Sequence, residues 1–130
     1  MLGETDLASL LAALAPVLDP EHYTFATVDE ATLATLPQPR AIFRETEGIS
    51  VICSRHDAEA HKLKHEGTFG KITLSVHSSL AAVGLTARVS TALTQRGISC
   101  NMVAAFHHDH VFVPLERAPE ALAILLALSA

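Results

Sequence analysis

The stretch ITLSVHSSLAAVGLTARVSTALTQRGISCNMVAAF, residues 72–106, carries most of what this sequence says about its fold. Residues 71–77 read as a strand, and a Gly-containing loop then leads into a helix expected over 83–95. Leu85, Val89, Ala92 and Leu93 recur at helical spacing and form one apolar stripe suited to lying on a sheet. Gly97 is placed to end that helix, because glycine accepts left-handed φ without a Cβ clash. Beyond it Ile98, Cys100, Met102 and Ala104 alternate with Ser99, Asn101, Val103 and Ala105. This is the period-two pattern of a strand, and it puts Asn101 on the face away from Met102. A turn at residues 107–110 returns the chain as a strand over 111–115. Downstream, Pro119 suits the first turn of a last helix, where its missing amide costs little, and Leu122, Leu125 and Leu126 are its expected buried edge.

Upstream the pattern is looser. Leu7, Leu10, Leu11 and Leu14 fall at i, i+3, i+4 and i+7, with Thr5 or Asp6 as the helix cap and Pro16 near its stop. Residues 22–28 alternate as a strand, with Tyr23, Phe25 and Thr27 on one side, and a helical turn follows over 30–36 until Pro37 and Pro39 end it. Residues 41–46 and 49–54 form a hairpin about Glu47 and Gly48. A short helix over 57–64 and the segment 67–70 lead back to the strand at 71. The order contains two βαββα units, 1–70 and 71–130, the first with a degraded helical segment.

Over residues 71–115 this sequence resembles an ACT domain, a small module that binds amino acids and similar effectors. Gly84, Leu85 and the later Arg96-Gly97-Ile98 stand where that family places the glycine at its helix start and its helix-to-strand turn. The likeness is weaker over 20–70, where AIFRETEG, residues 41–48, looks like the hairpin of an N-terminal half often joined to such a module. It implies an α+β fold of tandem, ferredoxin-like βαββαβ units, with antiparallel sheets covered on one face by helices. It also implies a regulatory, non-catalytic protein that binds an amino acid or a related small carboxylate, usually between two modules. Such sheets commonly complete their sites by pairing, which points to a homodimer.

The expected ligand site centres on the loop from His77 to Gly84. Backbone N–H groups in the first turn of a helix lack intrahelical partners and, with the helix dipole, favour an anion such as an α-carboxylate. Gly84 permits close approach to the backbone beside Val83 and Leu85. Ser78, Ser79 and Thr86 add hydroxyls, and Asn101 offers both an acceptor and a donor. His108, Asp109 and His110 join the site as its rim. The plainer reading is that a serine caps the helix and Gly84 only permits packing.

Composition narrows the alternatives. Among 130 residues, 49% are apolar but only 5% aromatic, so the core is built from Leu, Val, Ile and Ala in thin layers of helix on sheet. The formal charge is −5, from 14 acidic and 9 basic residues, with no Lys/Arg cluster of the kind that phosphate backbones require; nucleic acid is not an expected partner. The acidic N-terminus and the short periodic apolar segment after it fit neither a secretory signal nor a membrane span, and a cytoplasmic protein is expected. Cys53 and Cys100 have no CxxC spacing and read as reduced, buried thiols. No GxSxG elbow, HExxH helix, phosphate loop or other cofactor signature occurs. His107, His108, Asp109 and His110 have a metal-like composition, but strand alternation divides them between two faces, and His61 and His65 lack an evident third ligand.

Overall fold

A computed structural model describes residues 6–75 and 84–129. In chain order the elements are α1 (Leu7–Ala12), β1 (Val17–Leu18), β2 (Tyr23–Val28), α2 (Glu30–Thr35), β3 (Ala41–Arg44), β4 (Ile49–Ser54), α3 (Arg55–Ala60), β5 (Lys64–Leu74), α4 (Leu85–Thr94), β6 (Asn101–Ala104), β7 (Asp109–Pro114) and α5 (Ala118–Leu128), with a 3-10 turn at Leu115–Arg117. The chain forms two compact units. One is Glu21–Phe69; the other joins the segment through Pro20 to the chain from Gly70 onward.

In the Glu21–Phe69 unit the strand order is β3-β4-β2-β5, with each neighbouring pair antiparallel. Read along the chain this is βαββαβ, the ferredoxin-like arrangement. The inward face carries Ala26, Val28, Ile49, Val51 and Cys53, packed with Leu36, Ala58 and Leu63. Thr24 is fully buried among these strands, and its hydroxyl donates to the carbonyls of Glu66 at 3.1 Å and Gly67 at 2.7 Å. Those bonds satisfy the backbone where the β2–β5 register shifts. Gly67 sits there at φ +78, and a Cβ on it would lie 2.6 Å from the Phe69 ring.

The other unit takes its strands as β1, β5, β7 and β6. Its βαββ run is β5-α4-β6-β7, and β1 from the N-terminal segment occupies the fourth position, Val17 facing Thr73 and Leu18 facing Ile72. Asp19 N–H to Lys71 O at 2.9 Å and Ser75 N–H to Leu14 O at 3.1 Å extend this edge on either side. Two residues are too few to register as a period-two pattern, so β1 is legible only in three dimensions. Leu10, Leu85, Val89, Leu93, Ala118, Ala121 and Leu125 from the three helices, with Leu14 just past α1, bury against Ile72, Leu74, Val111 and Val113 of the sheet. The fold is α+β, with antiparallel sheets and helices packed on one face.

Several boundaries differ from the sequence reading. The short helix stops at Ala60 and Lys64 already belongs to β5, so the last strand of the first half runs 11 residues without a break at Gly67. Asp109 and His110 lie in β7, and the turn before it is closed by Ala105 N–H to His108 O at 3.1 Å. In α5 the buried edge is Ala118, Ala121 and Leu125, while Leu126 is 49% exposed. Small residues are required there: a Cβ on Gly70 would come within 2.8 Å of the Ala118 Cβ.

The two units end a helix in the same way with different residues. After α4, Gly97 N–H bonds Thr94 O at 2.9 Å and Ile98 N–H bonds Leu93 O at 3.0 Å, with Gly97 at φ +69 and both Ile98 and Leu93 in the core. After α3, Lys62 N–H bonds Glu59 O at 3.2 Å and Leu63 N–H bonds Ala58 O at 2.9 Å, with Lys62 at φ +54. This is the Schellman arrangement, whose left-handed position favours glycine. A side chain there costs roughly 1–2 kcal/mol, partly offset by the greater entropy that glycine loses on folding. Nothing lies within 4 Å of a Cβ built on Gly97. Gly97→Ala should therefore lower stability by about 1 kcal/mol through the backbone alone, whereas Lys62→Gly should raise it by about 0.5 kcal/mol. Urea midpoints measured on both variants check the pair of opposite signs.

Candidate functional site

The strand-to-helix junction nominated by the sequence is described from Gly84 onward; His77, Ser78, Ser79 and Val83 lie outside the described residues. Gly84 is the residue before α4, at φ 102 and ψ −19, with no side-chain hydrogen bond capping the helix from its position. The helix begins with Arg88 N–H bonded to Gly84 O at 2.9 Å. A Cβ on Gly84 would meet Leu7 Cδ2 at 3.3 Å, so the glycine also allows α1 to pass close by. Leu85 points into the core and Thr86 into solvent. What this junction can present to a ligand is backbone N–H and the Thr86 hydroxyl, with Leu85 contributing packing and its own amide.

Asn101 does not join Gly84. It follows the far end of α4, whose ten residues span about 15 Å, and it sits on β6 opposite Phe112. Its side chain is exposed on the sheet face opposite Met102 and Val111, which face the helices. The expected hollow between Gly84 and Asn101 is thus not assembled: strand alternation and helix length put the two residues on different faces and at different ends.

β7 does bring a polar group together. His110 Nδ1 is 3.0 Å from Thr73 Oγ1 on β5, and the Lys71 ammonium on the same strand pairs with Asp19 at 3.3 Å. His110 lies opposite Val103, and Asp109 is buried at the start of the strand. Nδ1 of His108 is buried with no hydrogen-bond partner among the described residues. Burial pushes the His110 imidazole below its ordinary value of 6.5; the charges of Lys71 and His108 push the same way, and Asp109 opposes them. Asp29 is held below the usual carboxylate range by the Thr32 backbone N–H and hydroxyl. Burial raises both thiols, with Asp57 adding to the effect at Cys53, so neither cysteine has thiolate character at neutral pH.

A groove of about 630 Å³ was not anticipated from the sequence. It lies in the Glu21–Phe69 unit, where β2 runs into α2, β3 turns into β4, and α3 passes into β5. Its lining includes Thr27, Asp29, Arg44, Glu45, His61, Lys62 and Lys64. Nothing local in the sequence signalled it: the helix was expected over 57–64, and its stop at left-handed Lys62 carries no glycine. Among the described residues no three His, Cys, Asp or Glu side chains gather as a metal site. His61 ends α3, while His65 sits in β5 with Nδ1 2.9 Å from Leu63 O, so they do not share a helix face. No described helix is long and apolar enough to cross a membrane.

Each unit's sheet, with helices on one face, defines the class: a pair of small ferredoxin-like modules. One ACT domain model matches residues 2–70 and a second matches residues 68–127. The chain belongs to the ACT domain family. The crystal structure of a Vibrio cholerae protein of unknown function, described as a possible transport protein, is similar with a TM-score of 0.86 and 39% identity, covering 95% of this chain and 96% of that one. The ligand-free regulatory subunit of aspartate kinase from Thermus thermophilus gives a TM-score of 0.65 at 12% identity, over 91% and 99% of the two chains. E. coli aspartokinase III in complex with aspartate and ADP gives 0.63 at 13%, over 88% of this chain and 33% of that one. At such low identities the likeness to the kinases is one of fold. No curated protein matches the sequence.

A depressed imidazole in the folded state has a direct consequence for stability. The native protein holds His110 neutral, whereas the unfolded chain takes up a proton near pH 6.5, so His110's contribution is present above that pH and is lost as pH falls through 6.5 toward the folded value. Thermal midpoints should fall between pH 7 and pH 5, and His110→Asn should shrink the drop. An unchanged pH profile in that variant would remove His110 from the account.

Proposed function

We propose that this protein is a non-catalytic regulatory module that binds an amino acid or a related small carboxylate at the β5–α4 junction. His77, Ser78, Ser79, Val83, Gly84, Leu85 and Thr86 supply the site, with His108, Asp109 and His110 as its rim. The observation that carries this reading is Gly84, held left-handed at the start of a ten-residue helix with no side-chain cap from its position. Such a helix start offers its first N–H groups and the positive end of its dipole to a carboxylate. Membership of the ACT family supports a regulatory role, as does the fold shared with an aspartate kinase regulatory subunit and with a kinase crystallised with aspartate. A homodimer in the cytoplasm is part of the same reading. Asn101 is left out, because α4 separates it from Gly84.

A thermal-shift panel of the standard amino acids tests this. A true ligand at a hundred times its dissociation constant adds about 2.7 kcal/mol of stability, a rise of several degrees. Gly84→Val should abolish that rise, with the fold monitored by far-UV circular dichroism. A panel in which no amino acid moves the midpoint would end the proposal.

One observation favours a second reading, that of an interaction module indifferent to small molecules. β3 is the edge of its sheet and exposes Phe43 at 72% and Ile42 at 47%. Unpaired edge groups beside apolar side chains invite strand pairing. Sedimentation would then show a mass that rises with concentration, is unaffected by amino acids, and returns to monomer in Phe43→Asp.

A further inference from the structure

We propose that the groove in the Glu21–Phe69 unit is a second binding site, separate from the β5–α4 junction, for an elongated zwitterion with a carboxylate at one end and an ammonium at the other. Strand register sets the floor of the groove. Thr27 faces Lys64 on one side and Ser50 on the other, so Lys64, Thr27 and Ser50 form one row across β5, β2 and β4. Residues directly opposite in antiparallel strands share a face, and two strand spacings make the row about 10 Å wide. The Ser50 hydroxyl donates to the Glu45 carboxylate, so the row runs from an ammonium, past the exposed Thr27 hydroxyl, to an acid.

The rest of the lining keeps this polarity. His61 and Lys62 stand on the Lys64 side, in the connection from α3 to β5, and Glu47 belongs to the β3–β4 connection beside Glu45; Asp29 follows β2, the central strand that carries Thr27, and stands between the two sides. Arg44 and Glu30 neutralise each other as an ion pair. Lys62, Lys64 and Glu47 take part in no ion pair among the described residues. The groove therefore has a cationic wall and an acidic wall with a polar floor between them. Gly48 keeps that floor open to the hairpin, since a Cβ there would lie 3.0 Å from Thr27 Oγ1. A volume of about 630 Å³ suits a small molecule.

Lys62 supports the same assignment. It holds the left-handed position that Gly97 holds after α4, and an unfavourable backbone of this kind points toward a role for its side chain. A single charge would satisfy one wall and leave the other unanswered. The two charges of an α-amino acid stand on neighbouring carbons, too close together to reach both. A longer ω-amino acid or a dipeptide reaches both ends. Because the walls are exposed, binding should weaken as salt is added.

The test is an amide-resolved NMR titration of the full chain at low ionic strength with glycine, β-alanine, 4-aminobutanoate and 6-aminohexanoate, and with hexanoate and hexylamine as single-charge controls. Affinity should rise along the series, and 6-aminohexanoate should bind at least tenfold tighter than glycine or either control, with shifts at Thr27, Gly48, Lys62 and Lys64. The double variant Lys62→Glu, Lys64→Glu should lose at least tenfold, and Lys64→Gln alone a smaller factor with the spectrum otherwise preserved. Equal affinity for a singly charged control, or no binding by any member, would overturn the groove. Shifts confined to Leu85 and Thr86 would assign the ligand to the β5–α4 junction and overturn it equally.

Discussion

Leu10 and Leu14 are fully buried among side chains that lie some sixty or more residues further along the chain, and much of the larger unit depends on that closure. Once Leu10 anchors α1 and Leu14 the residues just after it, the chain is carried past the edge of β5. There β1 satisfies backbone groups that would otherwise face solvent as an open edge. The same docking sets the space beside Gly84, where Leu7 approaches the start of α4. Joining segments so distant in sequence costs loop entropy that only later burial repays, so this unit is expected to complete its packing late in folding.

The two units solve one design with different residues. Both cover a four-stranded antiparallel sheet on one face, and both end a helix with paired 5→2 and 6→1 bonds. In one, a ten-residue helix starts at a left-handed glycine and ends at another; its apolar stripe of Leu85, Val89, Ala92 and Leu93 fixes it on the sheet. In the other, α2 has six residues and none of them is buried. A helix that short covers little of its sheet's end, and the charged connections around it are left to line a groove. The functional proposals differ accordingly: backbone N–H groups in one unit, and opposed side-chain charges in the other.

Much was readable from local pattern. The stripe of α4, the stop at Gly97, the hairpin before Ile49, the strand alternation around Asn101 and Met102, and the resemblance to an ACT domain all follow from residues within one or two turns of each other. What local pattern could not supply was pairing partners. β1 is two residues long, Lys62 takes a left-handed turn without a glycine to announce it, and the charges of the groove come from segments far apart in the sequence. Asn101 illustrates the limit: alternation correctly put it on the face away from Met102, but that it lies at the opposite end of α4 from Gly84 is a matter of helix length and direction.

The sequence by itself determined most element types, the apolar stripe of α4 and the family resemblance, because propensity, periodicity and turn chemistry act over a few residues. Tertiary structure alone decided that the N-terminal segment completes the C-terminal sheet, and that Lys64, Thr27 and Ser50 fall into one row. Those outcomes depend on strand register and on burial between distant segments, which no window of neighbouring residues encodes.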